Sequence, residues 1–155
     1  AVERAKTVKN RGFYLDLLQL YDFIQKKDYQ YPSTPSLAHM FALDYQLNYI
    51  INEEGLENRF ARHEEMMEMV REWAGRNFAL LAEDDIASRT VTTVVNTKNI
   101  DISELNRELK KRGMMISNGY GELKDKTFRI AHMADTTPAQ ITELLDNLDD
   151  ILGLN

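Results

Sequence analysis

Apolar residues Phe13, Leu17, Leu20, Tyr21 and Ile24 recur at i, i+4, i+7, i+8 and i+11, the period of an amphipathic helix. Tyr14, Leu18 and Phe23 fall on its other faces, so this helix is apolar nearly all round. The residues before it, 1–11, are charged and weakly helical. Pro32 and Pro35 in YQYPSTPS then break the pattern, because each proline also pushes its predecessor out of the α region. A second helix is predicted from Leu37 to Glu54, carried by Leu37, Met40, Phe41, Leu47, Ile50 and Ile51, with Gly55 as its C′ residue. A third is predicted from Leu56 to Ala74, with Leu56, Phe60, Met67, Val70 and Trp73 on one face and Gly75 ending it. Its other side, Glu57, Arg62, Glu64, Glu65, Glu68 and Arg71, reads as a solvated charged surface.

After Gly75 the period shortens. Phe78 to Ala82 reads as an edge strand, and the β-branched run Thr90 to Asn96 as a central one. Asp101 and Glu104 form a capping box for a helix from Ile102 to Arg112, closed by Gly113. The stretch from Gly113 to Met133 reads as strand, glycine-rich turn, strand, with Gly119 and Gly121 bracketing Tyr120. Phe128 and Ile130 share one strand face, and Arg129 points to the other. Thr137, Pro138 and Gln140 start a last helix as N-cap, N1 and N3. Its buried stripe is Ile141, Leu144, Leu145, Leu148, Ile151 and Leu152. Three helices followed by β–β–α–β–β–α predict an α+β fold: a small, mostly antiparallel sheet of three or four strands with helices packed against it.

Composition narrows the classes. At 155 residues the chain can build one real core. A net charge of −6 argues against nucleic acid or an anionic membrane surface as partner. The absence of cysteine excludes disulfides and thiolate metal sites. No apolar run is long enough for a transmembrane helix and no signal peptide is visible, so a cytoplasmic protein is expected. Nine of the fourteen aromatic residues lie between Phe13 and Tyr49, more apolar surface than such a segment can cover alone. Together with the polar opening AVERAKTVKNR, this leads us to expect a piece of a longer protein.

Few residues suggest chemistry. Arg129 is costly in a short apolar strand unless it is paired or reaches solvent, and its planar fork suits a carboxylate or phosphate. Taken alone, it reads as a solvent-facing or salt-bridged strand residue. Ser33, Thr34 and Ser36 read first as a capped helix start, with Ser36 or Thr34 as N-cap, and second as hydroxyls of an anion site. His39 and His63 lack a second ligand at metal spacing and read as structural. So does His132, with no nucleophile or carboxylate partner evident beside it.

Five segments then fit one family in register: FYLDL (Phe13–Leu17), YPSTPS (Tyr31–Ser36), IINEEGLENRFARHEEM (Ile50–Met66), TVTTV (Thr90–Val94) and SNGYGELKDKTFRIAHM (Ser117–Met133). In order and spacing they resemble the C-terminal part of class V aminotransferases, fold-type I pyridoxal-phosphate enzymes of the alanine–glyoxylate and serine–pyruvate type. The resemblance runs from about residue 8 to residue 152. It implies a long inter-domain helix with a phosphate-reaching loop over 1–36 and a C-terminal small domain over 37–155. It implies that Arg129 grips the α-carboxylate of the amino-acid substrate. It implies that Tyr31 and Thr34 reach the cofactor phosphate of the other subunit in a homodimer. The turn at Gly119 and Gly121 is similar to the family's Gly-Gly-x-Gly segment, with Asn118 in place of the first glycine. No catalytic residue is assigned in this chain: Lys6 and Lys9 precede Tyr31 too closely to match the family's Schiff-base lysine. The resemblance thus implies a parent that moves an amino group between an amino acid and a 2-oxo acid, and a piece that is inactive by itself. A free-standing amino-acid-binding module, or a dimerisation domain without ligand, is the alternative reading.

Overall fold

The computed structural model describes residues 1–12, 16–26, 30, 31 and 33–154. The chain divides into two compact units, Ala1–Tyr49 and Ile50–Asn155. The first holds α1 (Val2–Thr7), α2 (Leu17–Lys26) and α3 (Leu37–Asn48). Asp16 starts α2: its carboxylate accepts from the Leu18 N–H at 3.1 Å and from Arg11 Nε at 3.1 Å. The buried residue of this helix is Leu18, whereas Leu17, from the predicted stripe, is exposed. Phe13 and Tyr14 lie outside the described residues. No residue of α3 is buried, although Phe41, Leu43 and Tyr45 are all large and apolar.

Two predicted helix ends are corrected. The second helix does not stay α-helical to Glu54: α3 stops at Asn48 and the backbone winds on as a π-helix, Tyr49–Glu54. Gly55 then turns the chain at φ 85°, a conformation that favours glycine. The third helix, α4 (Leu56–Asn77), passes straight through Gly75. Trp73 and Ala74 are buried just before it, and the ends close later: the Asn77 side chain donates to the Trp73 carbonyl and the Phe78 N–H to that of Ala74. Packing outweighs the roughly 1 kcal/mol that a mid-helix glycine costs.

The second unit is a four-stranded antiparallel sheet in the order β1-β2-β4-β3, with β1 (Ala79–Leu80), β2 (Val91–Val95), β3 (Ser117–Asn118) and β4 (Thr127–Ala131). The edge and central positions predicted for the first two strands are observed, with β1 reduced to two residues. Met114 to Ile116 leads into β3 without pairing in the sheet; the Ile116 N–H is held instead by the Asn106 side chain at 2.9 Å. Helix α5 (Ile102–Lys111) starts at Asp101, which accepts from the N–H groups of Ser103 and Glu104. Glu104 pairs with Arg107 rather than reaching back to close a capping box. At α6 (Pro138–Leu152) the box is complete between Thr137 and Gln140.

Helices α4, α5 and α6 share one core with the sheet. Val94, Phe128 and Ile130 face Met66, Val70 and Trp73 of α4 and Ile141, Leu145 and Leu148 of α6. The Phe128 ring stands edge-on to Phe78 and Trp73, with centroids 5.3 and 6.5 Å away, and each fully buried ring contributes on the order of 1.5–3 kcal/mol. Trp73 Nε1 donates to Asp149 at 2.6 Å, which satisfies the one polar atom of the indole. The opposite face of β4 carries Arg129 and Ala131, both exposed, as strand alternation requires.

Gly119 is the tightest point of the turn between β3 and β4. A Cβ there would lie 2.0 Å from the Leu123 carbonyl oxygen and 2.6 Å from Thr127 Oγ1. Gly119→Ala is therefore expected to destabilise the protein by ~1–3 kcal/mol or more. Gly121→Ala, at φ 57° with open space around it, should cost only about 1–2 kcal/mol. Urea denaturation of the two variants checks the order; equal midpoints would contradict it.

Candidate functional site

In the first unit, Gln30, Tyr31, Ser33, Thr34 and Pro35 line an open concavity of about 420 Å³. Tyr31 and Thr34 thus line the same concavity, with Ser33. Ser36 does not cap α3 through its side chain; its hydroxyl lies 2.6 Å from His39 Nδ1. Ser36 is not among the residues lining the concavity, where Tyr31, Ser33 and Thr34 offer neutral hydroxyls of a type that can donate to an anion.

Arg129 belongs to the second unit, near the middle of β4, opposite Thr93 of β2 and Ser117 of β3. Its guanidinium is exposed and makes one set of contacts: Nε and Nη2 donate to the Asn118 carbonyl at 3.3 and 3.2 Å. Among the described residues no carboxylate pairs with it. An arginine held along one edge by a neutral carbonyl keeps its other edge for an incoming anion.

A second arginine cluster, which sequence reasoning missed, sits where the π-helical segment meets α4. Glu54 accepts from Arg59 at 2.7 Å and from Arg62 Nε and Nη2 at 2.8 and 2.6 Å. Arg62 also donates to the carbonyls of Ala134 and Thr136, and Arg59 to Asp135. The cluster ties the head of α4 to the turn that follows β4, where Ala134 sits at φ 57°. Its spacing, five and eight residues across the break at Gly55, is no helical repeat, so no periodic pattern announces it. Burial pushes the Glu54 carboxyl up, but the hydrogen bonds from Arg62 and Arg59 outweigh this and hold it below its ordinary 4.5.

His63 and His132 both make contacts within the second unit. His63 Nδ1 lies 2.7 Å from the Arg59 carbonyl one turn back. His132 is fully buried, with Nε2 2.9 Å from the Thr92 hydroxyl and Nδ1 without a hydrogen-bond partner among the described residues. Burial, with a smaller contribution from nearby His63, holds the His132 imidazole below 6.5, against a partial offset from the backbone at Arg89 and at His132 itself. His63 also lines a cavity of about 650 Å³ with Arg59, Phe60, Glu64, Arg89 and Thr90.

Glu54 and His132 act on stability in the same direction. Folding holds each pKa down, so the unfolded chain binds more protons as pH falls. The His132 contribution is present above about pH 6.5 and is lost below it; the Glu54 contribution is present above about 4.5 and is lost below that. We expect the urea midpoint to fall in two stages on acidification. His132→Gln should remove the upper stage and Glu54→Gln the lower. A midpoint flat between pH 7 and pH 5 would overturn the His132 assignment, and one flat from pH 5 to pH 3 would overturn that of Glu54.

Fold comparison gives the class of domain. Alanine–glyoxylate aminotransferase from Nostoc sp. superposes with a TM-score of 0.75 at 26% identity, over 94% of this chain and 39% of that one. The architecture is that of an aminotransferase C-terminal domain. Sequence gives the family. Serine–glyoxylate aminotransferase of Arabidopsis thaliana is 31% identical over 98% of this chain. An uncharacterized aminotransferase of Methanocaldococcus jannaschii is 36% identical over 79% of it. No family model matches the chain. It spans 32% and 38% of the lengths of those two relatives. The chain belongs with the class V aminotransferases, as a homologue of their C-terminal part.

Proposed function

We propose that this chain is the C-terminal small domain of a pyridoxal-phosphate-dependent aminotransferase that moves an amino group between an amino acid and a 2-oxo acid. The observation that carries the reading is Arg129: a solvent-facing guanidinium with one edge unused, set in a chain homologous throughout to aminotransferases. In this reading residues 1–36 are the inter-domain helix and phosphate-reaching loop, and 37–155 the small domain. The parent is a cytoplasmic homodimer, with Tyr31 and Thr34 of one subunit directed to the phosphate bound by the other.

The residues present fit that cofactor. Gln30, Tyr31, Ser33 and Thr34 line the first unit's concavity, residue types whose amide and hydroxyls can donate to a phosphate. Bound pyridoxal phosphate supplies the electron sink that lets an amino acid lose its α proton. What this chain adds is positioning. Arg129 clamps the substrate carboxylate at two points, which fixes the direction of the Cα–H bond. Tyr31 and Thr34 anchor the phosphate end. The lysine that carries the cofactor belongs to the part of the parent that precedes these residues.

Joining the chain to the upstream part of its parent tests this. The full-length protein should transaminate, while the 155-residue chain, incubated with pyridoxal phosphate and borohydride, should gain no stoichiometric pyridoxyl-lysine. A pyridoxyl-lysine on the isolated chain would refute the reading. Arg129-dependent amino-acid binding by the isolated chain, with no upstream domain in its reading frame, would favour a free-standing binding module.

A further inference from the structure

Asn118 ends β3 and leads into the glycine-rich turn. Its backbone carbonyl accepts from Arg129 Nε and Nη2, the side edge of the guanidinium. The end edge, Nη1 with the second N–H of Nη2, is left open. Its side chain makes three further hydrogen bonds. Oδ1 accepts from the Gly119 N–H at 2.7 Å and from the Asp125 N–H at 2.9 Å. Nδ2 donates to Asp125 Oδ1 at 2.7 Å. Asp125 is held at φ 61°, where few side chains rest without outside support. The neck of the 119–125 loop is closed by the Asn118 side chain together with the Gly119 N–H bond to the Thr127 carbonyl at 2.8 Å and the Asn96 Nδ2 bond to the Asp125 carbonyl at 3.0 Å, and the Asn118 carbonyl lies under the arginine. Glycine could supply the carbonyl but none of the three side-chain bonds.

We infer that Asn118 is a positioning residue for substrate recognition: with Asp125 it locks the turn and so fixes the carbonyl that aims the open edge of Arg129 at the substrate carboxylate. The inference rests on the carboxylate-binding reading of Arg129. Without the lock the turn moves, the carbonyl moves with it, and the guanidinium samples orientations that cannot grip in two places. Binding of anything with a carboxylate then weakens, while groups acting elsewhere on the bound substrate keep their geometry.

The test uses the full-length parent with Asn118→Ala, Asn118→Asp, the exchanged pair Asn118→Asp with Asp125→Asn, and Arg129→Ala. Asn118→Ala should raise KM for the amino acid and the 2-oxo acid, and the inhibition constant of propionate, an unreactive carboxylate, each by about tenfold, the size of one lost hydrogen bond to a charged group. kcat should change much less. Asn118→Asp sets two carboxylates against each other and should be worse. The exchanged pair restores one acceptor and one donor in reversed roles and should bring propionate inhibition back toward wild type. A merely structural residue would change the unfolding midpoint without this split or this rescue. If Arg129→Ala leaves kcat/KM and propionate inhibition unchanged, the carboxylate reading and this inference fall together. If Arg129→Ala damages both while Asn118→Ala leaves KM and propionate inhibition at wild type, only the positioning role falls. Should Asn118→Ala not fold, equal propionate constants for Asn118→Asp and the exchanged pair overturn it.

Discussion

Replacing Arg129 by alanine in the full-length parent should lower kcat/KM for amino-acid donors by about 30-fold to several-thousand-fold. The range follows from the cost of truncating one partner of a desolvated charge pair, roughly 2–5 kcal/mol, at about 1.4 kcal/mol per decade of rate. Arg129→Lys should still be damaging, because an ammonium keeps the charge and loses the planar fork. The loss should follow the carboxylate. Amines without one, slow with either enzyme, should be affected far less. The fold should be indifferent, since the side chain is exposed and bonds only one backbone carbonyl, so the unfolding midpoint should move by no more than about 0.5 kcal/mol equivalent. Steady-state kinetics with a good amino donor check the prediction. Equal kcat/KM for Arg129→Ala and wild type would return Arg129 to the role of an ordinary strand residue.

The strand that holds Arg129 was legible because alternation is a short-range rule. Phe128 and Ile130 go into the core and Arg129 cannot follow them, whatever the rest of the chain does. The capping box at Thr137 and the N-cap at Asp101 were legible for the same reason: the partners lie within three residues. Gly75 was misread because a glycine stops a helix only when nothing downstream rewards continuing. Here the burial of Trp73 and Ala74 and the closing bonds from Asn77 and Phe78 do so. Leu18, not Leu17, is the buried residue of α2, a shift of 100° that a helix apolar on every side cannot announce. The Glu54–Arg59–Arg62 cluster and the Asn118–Asp125 lock depend on a glycine corner and a left-handed aspartate. Neither has a period, and both appear only once the backbone is drawn. Function was legible by another route. Composition and spacing left Arg129 and the Ser/Thr run ambiguous, and family resemblance is what gave them roles.

Replacing Tyr31 by phenylalanine and Thr34 by valine together should strip the full-length parent of cofactor under conditions where wild type keeps it. Each hydroxyl lost from a charged phosphate should cost about 1.5–3 kcal/mol. If the two act independently the sum lies between roughly 3 and 6 kcal/mol, a fall in affinity of at least a hundredfold at 1.4 kcal/mol per decade. The two residues line one concavity with Ser33, so they can coordinate one group, and coupling between them would bring the total below the sum. Both substitutions remove oxygen from exposed positions and nearly preserve shape, so the fold should survive. The readout is equilibrium dialysis of pyridoxal phosphate against each single variant and the double. Because the reading places the hydroxyls of one subunit at the phosphate of the other, a second arm is decisive. Two mixed dimers can be built, one with the Tyr31→Phe/Thr34→Val changes and the loss of the cofactor lysine on different subunits, and one with both on the same subunit beside a wild-type partner. The loss should appear when both are carried by the same subunit, because its variant residues then face the lysine-bearing partner, and vanish when they are on different subunits, where the lysine-bearing subunit receives wild-type hydroxyls. Cofactor retention that is unchanged in the double variant would remove Tyr31 and Thr34 from the site.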